Sequence, residues 1–166
     1  MTSLTPYRLS RRLARTAVLK TLFQLEFQEG DWLPMWELSL ENLVDDWQTN
    51  SSETAAGTMR RADIRLAKEM IQGIIKLRPE IDEVLESFAK DWSLARMGRL
   101  ERSILRLTAY ELFWLQDIPP EASLDEAVEL SKRYCAVEAS PFINGILGNI
   151  HQHLKVLRQT DTTQAP

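Results

Sequence analysis

The chain reads as an all-α protein. Apolar residues recur at three- and four-residue intervals through nearly every segment, which is the helical period. No run sustains the alternation of a half-buried strand, and Asn144-Gly145, the one Asn-Gly pair, lies inside a helical pattern rather than between β-branched stretches. Proline and glycine fall mostly between the periodic segments, where they stop one helix and start the next. With 166 residues, 44% hydrophobic and 27% charged, the chain suits one compact domain, or two small subdomains sharing a core, without help from disulfides or metals.

The first helix is expected from about Tyr7 to Gln28, where Leu9, Leu13, Ala17, Leu22 and Leu25, with Phe23 and Phe27, keep helical spacing until Gly30 closes it. Beyond Ala17 it is apolar nearly all round (Val18, Leu19, Leu22, Phe23), so that half should be buried. A second helix, from about Pro34 to Gln48, carries Trp36, Leu40, Leu43, Val44 and Trp47. Thr49 to Thr58 is small and polar and reads as a mobile loop. A third helix, from about Arg61 to Leu77, should bury Leu66, Ala67, Met70, Ile71, Ile74 and Ile75. Pro79 opens a fourth with Val84, Leu85 and Phe88 inside.

A fifth helix is expected from about Met97 to Gln116, carrying Leu100, Ile104, Leu105, Leu107, Leu112 and Leu115, and Ile118-Pro119-Pro120 stops it. Ser123 and Glu126 have capping-box spacing, which predicts the start of a sixth helix lasting to about Tyr134. Ser140-Pro141 reads as a cap followed by proline at the first helical position of a seventh helix, ending near Leu157. Gly145 and Gly148 within it cost helix stability unless another helix packs close against that face. The polar tail from Gln159 is expected to fray.

Charge is segregated along this acidic chain, whose net charge is −4 and pI near 5.3. The first acidic residue is Glu26, and Arg8, Arg11, Arg12, Arg15 and Lys20 precede it. The four arginines fall at i, i+3, i+4 and i+7, one stripe of a helix, and guanidinium forks on a rigid rod suit phosphate oxygens. From Glu26 to Glu53 there are then eight acidic residues and no Lys or Arg. A second basic and aromatic set comprises Arg99, Arg102, Arg106 and Tyr110 on one face, Lys132 and Arg133 in a last helical turn, and Phe142 just beyond. Aromatics beside cations hold single-stranded RNA. Against this stand ordinary packing for Tyr110 and Phe142, a solvated face for the first stripe, and a buried structural Arg106 paired with Glu111, Glu126 or Glu129.

Motifs for catalysis are absent: no glycine-rich phosphate loop, GxSxG elbow or CxxC pair occurs. His151 and His153 sit at i and i+2, pointing apart on a helix, so neither a metal site nor any other cofactor is expected. Cys135 is the only cysteine, which excludes an intramolecular disulfide and fits a reducing compartment. With no signal-peptide core and no membrane-length apolar run, a cytoplasmic location is expected.

Four blocks carry a family resemblance. RRLARTAVLKTLFQLEF from Arg11 to Phe27, LERSILRLTAYEL from Leu100 to Leu112, IPPEASLDEAVELSKRY from Ile118 to Tyr134 and FINGILGNI from Phe142 to Ile150 resemble, in order and spacing, the NusB family of bacterial transcription antitermination factors. The resemblance implies one NusB-like RNA-binding domain of about seven helices, two packed three-helix bundles with an extra helix. Its N-terminal bundle would span about residues 7–77 and its C-terminal bundle about 79–157, with a frayed tail at 158–166. It implies binding of single-stranded boxA-like RNA in ribosomal RNA leader transcripts, together with the small-subunit ribosomal protein NusE. That complex would join other Nus factors on the RNA polymerase elongation complex, with no enzymatic step.

Position by position, the resemblance places Arg11, Arg12 and Arg15 at the arginine-rich RNA-binding start, which Arg8 and Lys20 extend. It places Lys132, Phe142 and the neighbouring Arg133 in a second part of the RNA surface. Glu101 matches an acidic position at the ribosomal-protein interface, and Glu138 stands near another. The chain departs from the family pattern at Cys135 to Pro141, where Glu138 stands for a usual Asp and Pro141 precedes Phe142, and at Lys20, where Gln is common. Some members self-associate, so a homodimer is an open alternative. Two other readings differ in class: a helical protein-interaction scaffold that ignores RNA, and an accessory domain of an RNA methyltransferase. The second is disfavoured because the chain has no nucleotide-binding βαβ unit and no catalytic cysteine motif.

Overall fold

The computed structural model describes residues 5–47, 55–90 and 93–163. Among these every regular element is helical, as the periodicity predicts, and the chain divides into two units, Met1–Lys76 and Leu77–Pro166.

In the first unit, helix α1 (Pro6–Leu25) starts where Thr5 Oγ1 accepts the Arg8 N–H at 3.3 Å and Pro6 presets the first helical φ. Ser10, Leu13, Ala17 and Thr21, spaced at three and four residues, form a line with no solvent exposure. The helix stops at Leu25, short of Gln28, because the Glu26 and Phe27 amides close back onto Phe23 and Gln24. Phe27 consequently leaves the apolar line and lies exposed, its ring edge-on to Phe23. Gly30, at φ +150°, then turns the chain.

The single helix expected from Pro34 to Gln48 is broken. Helix α2 (Trp32–Ser39) begins on Asp31, whose carboxylate accepts the Leu33 N–H. The break falls at Asn42, whose φ of 61° is left-handed, a conformation Asn tolerates better than most residues. A single turn, α3 (Leu43–Asp46), follows. Gln48 and residues 49–54 of the expected loop lie outside the described residues. The rest of that loop forms another helical turn, α4 (Ala55–Thr58), with Ala55 and Met59 buried.

Helix α5 (Arg61–Lys76) buries Ala67, Met70, Ile71 and Ile74, whereas Leu66 is only half-buried and Ile75 is exposed. Both α2 and α5 pack on α1. The α2 contact includes a polar seam in which Thr21 Oγ1 and Gln24 Nε2 reach Ser39 Oγ at 3.2 and 2.9 Å. Each fully buried apolar side chain, such as Leu13 or Ile71, contributes roughly 1.5–3 kcal/mol.

The second unit holds α6 (Arg78–Phe88), a 3₁₀ turn at Leu94–Arg96, α7 (Arg99–Trp114), α8 (Pro120–Tyr134) and α9 (Ala139–Thr163). Buried Ile81, Leu85, Ile104, Leu105, Leu130, Ile143 and Ile150 form its core. Ser123 does not cap a helix. Pro120, with φ already helical, starts α8 three residues earlier, and the buried Ser123 hydroxyl instead donates to Glu111 on α7. Arg106 is buried as a structural arginine, and Asp82 on α6 accepts from its Nε and Nη2 at 2.7 and 2.9 Å. Arg102 is also turned to structure, donating to the Leu94 and Met97 carbonyls.

The last helix begins at Ala139, so Ser140 lies inside its first turn, and it continues past the expected end at Leu157 to Thr163; residues 164–166 of the tail lie outside the described residues. Gly145 and Gly148 meet no close-packed helix: a Cβ built on either finds nothing within 4 Å. Alanine at either position should therefore stabilise the chain by about 0.8–1 kcal/mol through helix propensity, with no clash. Urea unfolding of Gly148→Ala will show a raised midpoint with unchanged slope; a lowered midpoint would mean that this face is covered.

Candidate nucleic-acid interface

The arginine stripe of α1 lacks counter-charges nearby in sequence, but the fold supplies them from a distance. Asp63, in the first turn of α5 and 2% exposed, receives the Ser10 hydroxyl at 2.6 Å. The same carboxylate accepts Arg60 Nε at 2.8 Å and Arg60 Nη2 at 3.0 Å, and lies 3.5 Å from Arg11 Nε. Ser10 Oγ in turn accepts the Arg60 backbone N–H at 2.8 Å. The Arg11 contact is Coulombic rather than a formed hydrogen bond, for Arg11 Nε is the one buried side-chain nitrogen or oxygen among the described residues without a hydrogen-bond partner. Burial pushes the Asp63 carboxyl up, but hydrogen bonds from Arg60 and Ser10 and the charges of Arg60 and Arg11 outweigh it and hold the group below its ordinary value.

The other members of the stripe have distinct environments. Arg8 is exposed. Arg11 stands 5.3 Å from the centroid of the Tyr7 ring, and Arg12 sits 4.7 Å over Trp47. The Trp47 indole N–H is itself fixed by Thr16 Oγ1 at 2.9 Å, so α3 braces the Arg12 turn. Arg15 is 7% exposed and thus set into the unit rather than presented on it. Lys20 is ion-paired with Asp46. The cationic face is therefore the first two turns of α1, with Arg8 exposed and Arg11 and Arg12 half-buried, narrower than the linear spacing suggests.

In the second unit Lys132 and Arg133 are exposed in the last turn of α8, where cations meet the negative helix end. Lys132 Nζ lies 3.7 Å from Glu129, an exposed pair of small energetic weight. The Ser131 and Ser140 hydroxyls, 2.7 Å apart, tie the end of α8 to the start of α9, which carries half-buried Phe142. Glu138 is exposed in the connection, and Glu101 is half-buried in the first turn of α7. The Glu101 side chain folds over Gly98, where any Cβ would collide with it. Burial, with the charge of Glu101 added, pushes the Cys135 thiol up to about 12, so it stays protonated at neutral pH and is a poor nucleophile. Among the described residues no helix is long and apolar enough to cross a membrane.

Sequence reasoning missed Asp63 and Arg60. The signal was present: Asp63 is the one charged residue on the buried face of α5, in line with Ala67, Met70 and Ile74. A buried carboxylate there calls for a cationic neighbour.

Because the folded-state pKa of Asp63 is lowered, its ion pairs contribute stability that is complete above the ordinary value of 3.8 and is lost as pH falls through the lower folded value. Asp63→Ala should cost about 3 kcal/mol at pH 7, leaving Arg60 and Ser10 without their acceptor. The deficit should shrink in acid. Urea unfolding of both proteins across that range tests this, and a deficit independent of pH would remove the charge from the account.

A family model for the NusB family matches residues 12–152. The chain is similar to the transcription antitermination protein NusB of Desulfitobacterium hafniense, 38% identical over 142 residues that cover 86% of this chain and 88% of the relative. Among solved structures it is similar to T. maritima NusB, with a TM-score of 0.71 and 33% identity over 92% of this chain and 93% of that one. It also shares the fold of antitermination factor NusB solved with NusE and dsRNA, with a TM-score of 0.67 and 23% identity, covering 87% and 97% of the two chains.

Proposed function

The chain belongs to the NusB family, and from that premise we propose that it is a transcription antitermination factor acting in the cytoplasm on ribosomal RNA leader transcripts. It binds single-stranded boxA-like RNA together with the small-subunit ribosomal protein NusE and joins the RNA polymerase elongation complex alongside other Nus factors. The supporting observation is the grouping of exposed Arg8 with half-buried Arg11 and Arg12 on α1 of a chain whose net charge is −4. Non-specific attraction cannot explain a basic face on an acidic protein; placed cations can.

The work is positioning. Arg8, Arg11 and Arg12 hold phosphates, Phe142 stacks a base, and Lys132 and Arg133 neutralise backbone near it. Glu101 and Glu138 face NusE. Arg15 and Lys20 contribute chiefly through the helix: Arg15 by packing within the unit and Lys20 by binding Asp46. No bond is made or broken, so the effect on transcription is one of occupancy.

Fluorescence anisotropy with a labelled boxA-like RNA and a scrambled control, over a salt series and with or without NusE, tests this reading. Neutralising three or four phosphates gives a log–log salt slope of about −2 to −3 for single strands. Arg12→Ala should shorten that slope by about 0.7, and NusE should tighten binding to boxA-like RNA over the control. Equal affinity for both RNAs in the presence of NusE would defeat the boxA assignment, and no binding to either would defeat the RNA reading.

A further inference from the structure

Arg60 is separated from the α1 stripe by about fifty residues of sequence, yet the fold sets it in the same cluster as Arg11. Its guanidinium lies 4.0 Å over the Tyr7 ring, with Arg11 5.3 Å from the same ring, and both cations rest on one Asp63 carboxylate. Two guanidiniums share a single negative charge, so the cluster retains net positive charge. Asp63 engages Arg60 side-on through Nε and Nη2. A guanidinium has five N–H donors, and Asp63 is met by Nε and Nη2 only, while Tyr7 lies against the same group. The side chain is 43% exposed although its head is clamped. A cation held from behind and open in front loses little rotamer freedom on meeting an anion.

We propose that Arg60 is a further RNA-phosphate-binding residue of this protein, continuing the face of Arg8, Arg11 and Arg12 onto the start of α5, with Asp63 and Tyr7 as the positioning residues that aim it. This rests on the RNA reading given above and extends its binding site to a residue that the basic stripe does not contain. The ligand is a phosphodiester oxygen of single-stranded RNA, and the contact is indifferent to base identity.

Two measurements on the full chain, both with the boxA-like RNA and its scrambled control, decide the matter. In the salt series, Arg60→Ala should weaken binding to both RNAs several-fold and shorten the slope by about 0.7, as Arg12→Ala does. In the wild-type protein, bound RNA should slow modification of Arg60 by an arginine-selective dicarbonyl, read by peptide mass spectrometry. That readout needs no variant, so it holds even where Arg60→Ala fails to fold. A shortened slope with Arg12→Ala but an unchanged one with Arg60→Ala, or modification of Arg60 unaffected by bound RNA, overturns the proposal and leaves the RNA reading intact. Absence of RNA binding by the wild-type protein overturns both.

Discussion

A carboxylate withdrawn from water between two helices must be met by donors, or its burial opposes the packing around it. Asp63 imposes that requirement on the N-terminal unit. Ser10 and Arg11 answer it from α1 and Arg60 from the residue before α5, so the two helices cannot rotate independently of one another. With Ser10 turned inward, Leu13, Ala17 and Thr21 follow on the same line, and Thr21 ends that line on Ser39 of α2. The seam is polar at both ends and apolar in the middle. Apolar burial supplies most of the stabilisation, while the hydrogen bonds at the ends set the register. Arg8, Arg12 and Arg15 lie on the opposite side of the helix, where Arg8 is exposed, Arg12 half-buried and Arg15 buried.

How much of this was legible depended on whether a feature is local. The apolar period of α1, the proline at the start of α6 and the apolar line of α9 are local, and helices form there. Boundaries failed where a competing local signal was stronger. Asn42 broke a periodic helix by accepting a left-handed φ, and Pro120 took the helix start away from Ser123. Ser123 then had another task, for its hydroxyl satisfies the buried Glu111. The counter-ions were the least legible feature, because Asp63, Asp46 and Asp82 meet Arg11, Lys20 and Arg106 only through tertiary packing. A stripe that looks uniform along a helix is therefore sorted by the fold into presented and structural cations.

The C-terminal unit applies the same chemistry differently. Asp82–Arg106 joins α6 to α7, Ser123–Glu111 joins α8 to α7, and Ser131–Ser140 joins α8 to α9. Each pair is buried or partly buried, and each removes a polar group that apolar neighbours could not satisfy. The outcome at the end of α8 is a short connection whose flanks are anchored while Lys132 and Arg133 remain in solvent. Lys132 meets a carboxylate only in its exposed pair with Glu129, so it keeps more freedom than Arg60, which Asp63 holds through two nitrogens. Clamped arginines suit contacts that fix a strand's register; freer ones suit a backbone that arrives in several conformations.

The acidic segment after α1 acquires a role from this sorting. Asp46 neutralises Lys20, and Trp47 of the same turn lies under Arg12, so this segment terminates the positive face on one side and braces it on the other. Arg12 and Lys20 are eight residues apart along one helix, about 12 Å at 1.5 Å per residue. That exceeds the Debye length of about 8 Å at physiological salt, so the neutralised end does not cancel the field at the other. The positive charge of α1 that Asp46 does not offset lies in its first turns, beside Arg60. Removing Asp46 would extend the positive stripe toward the C-terminal end of α1.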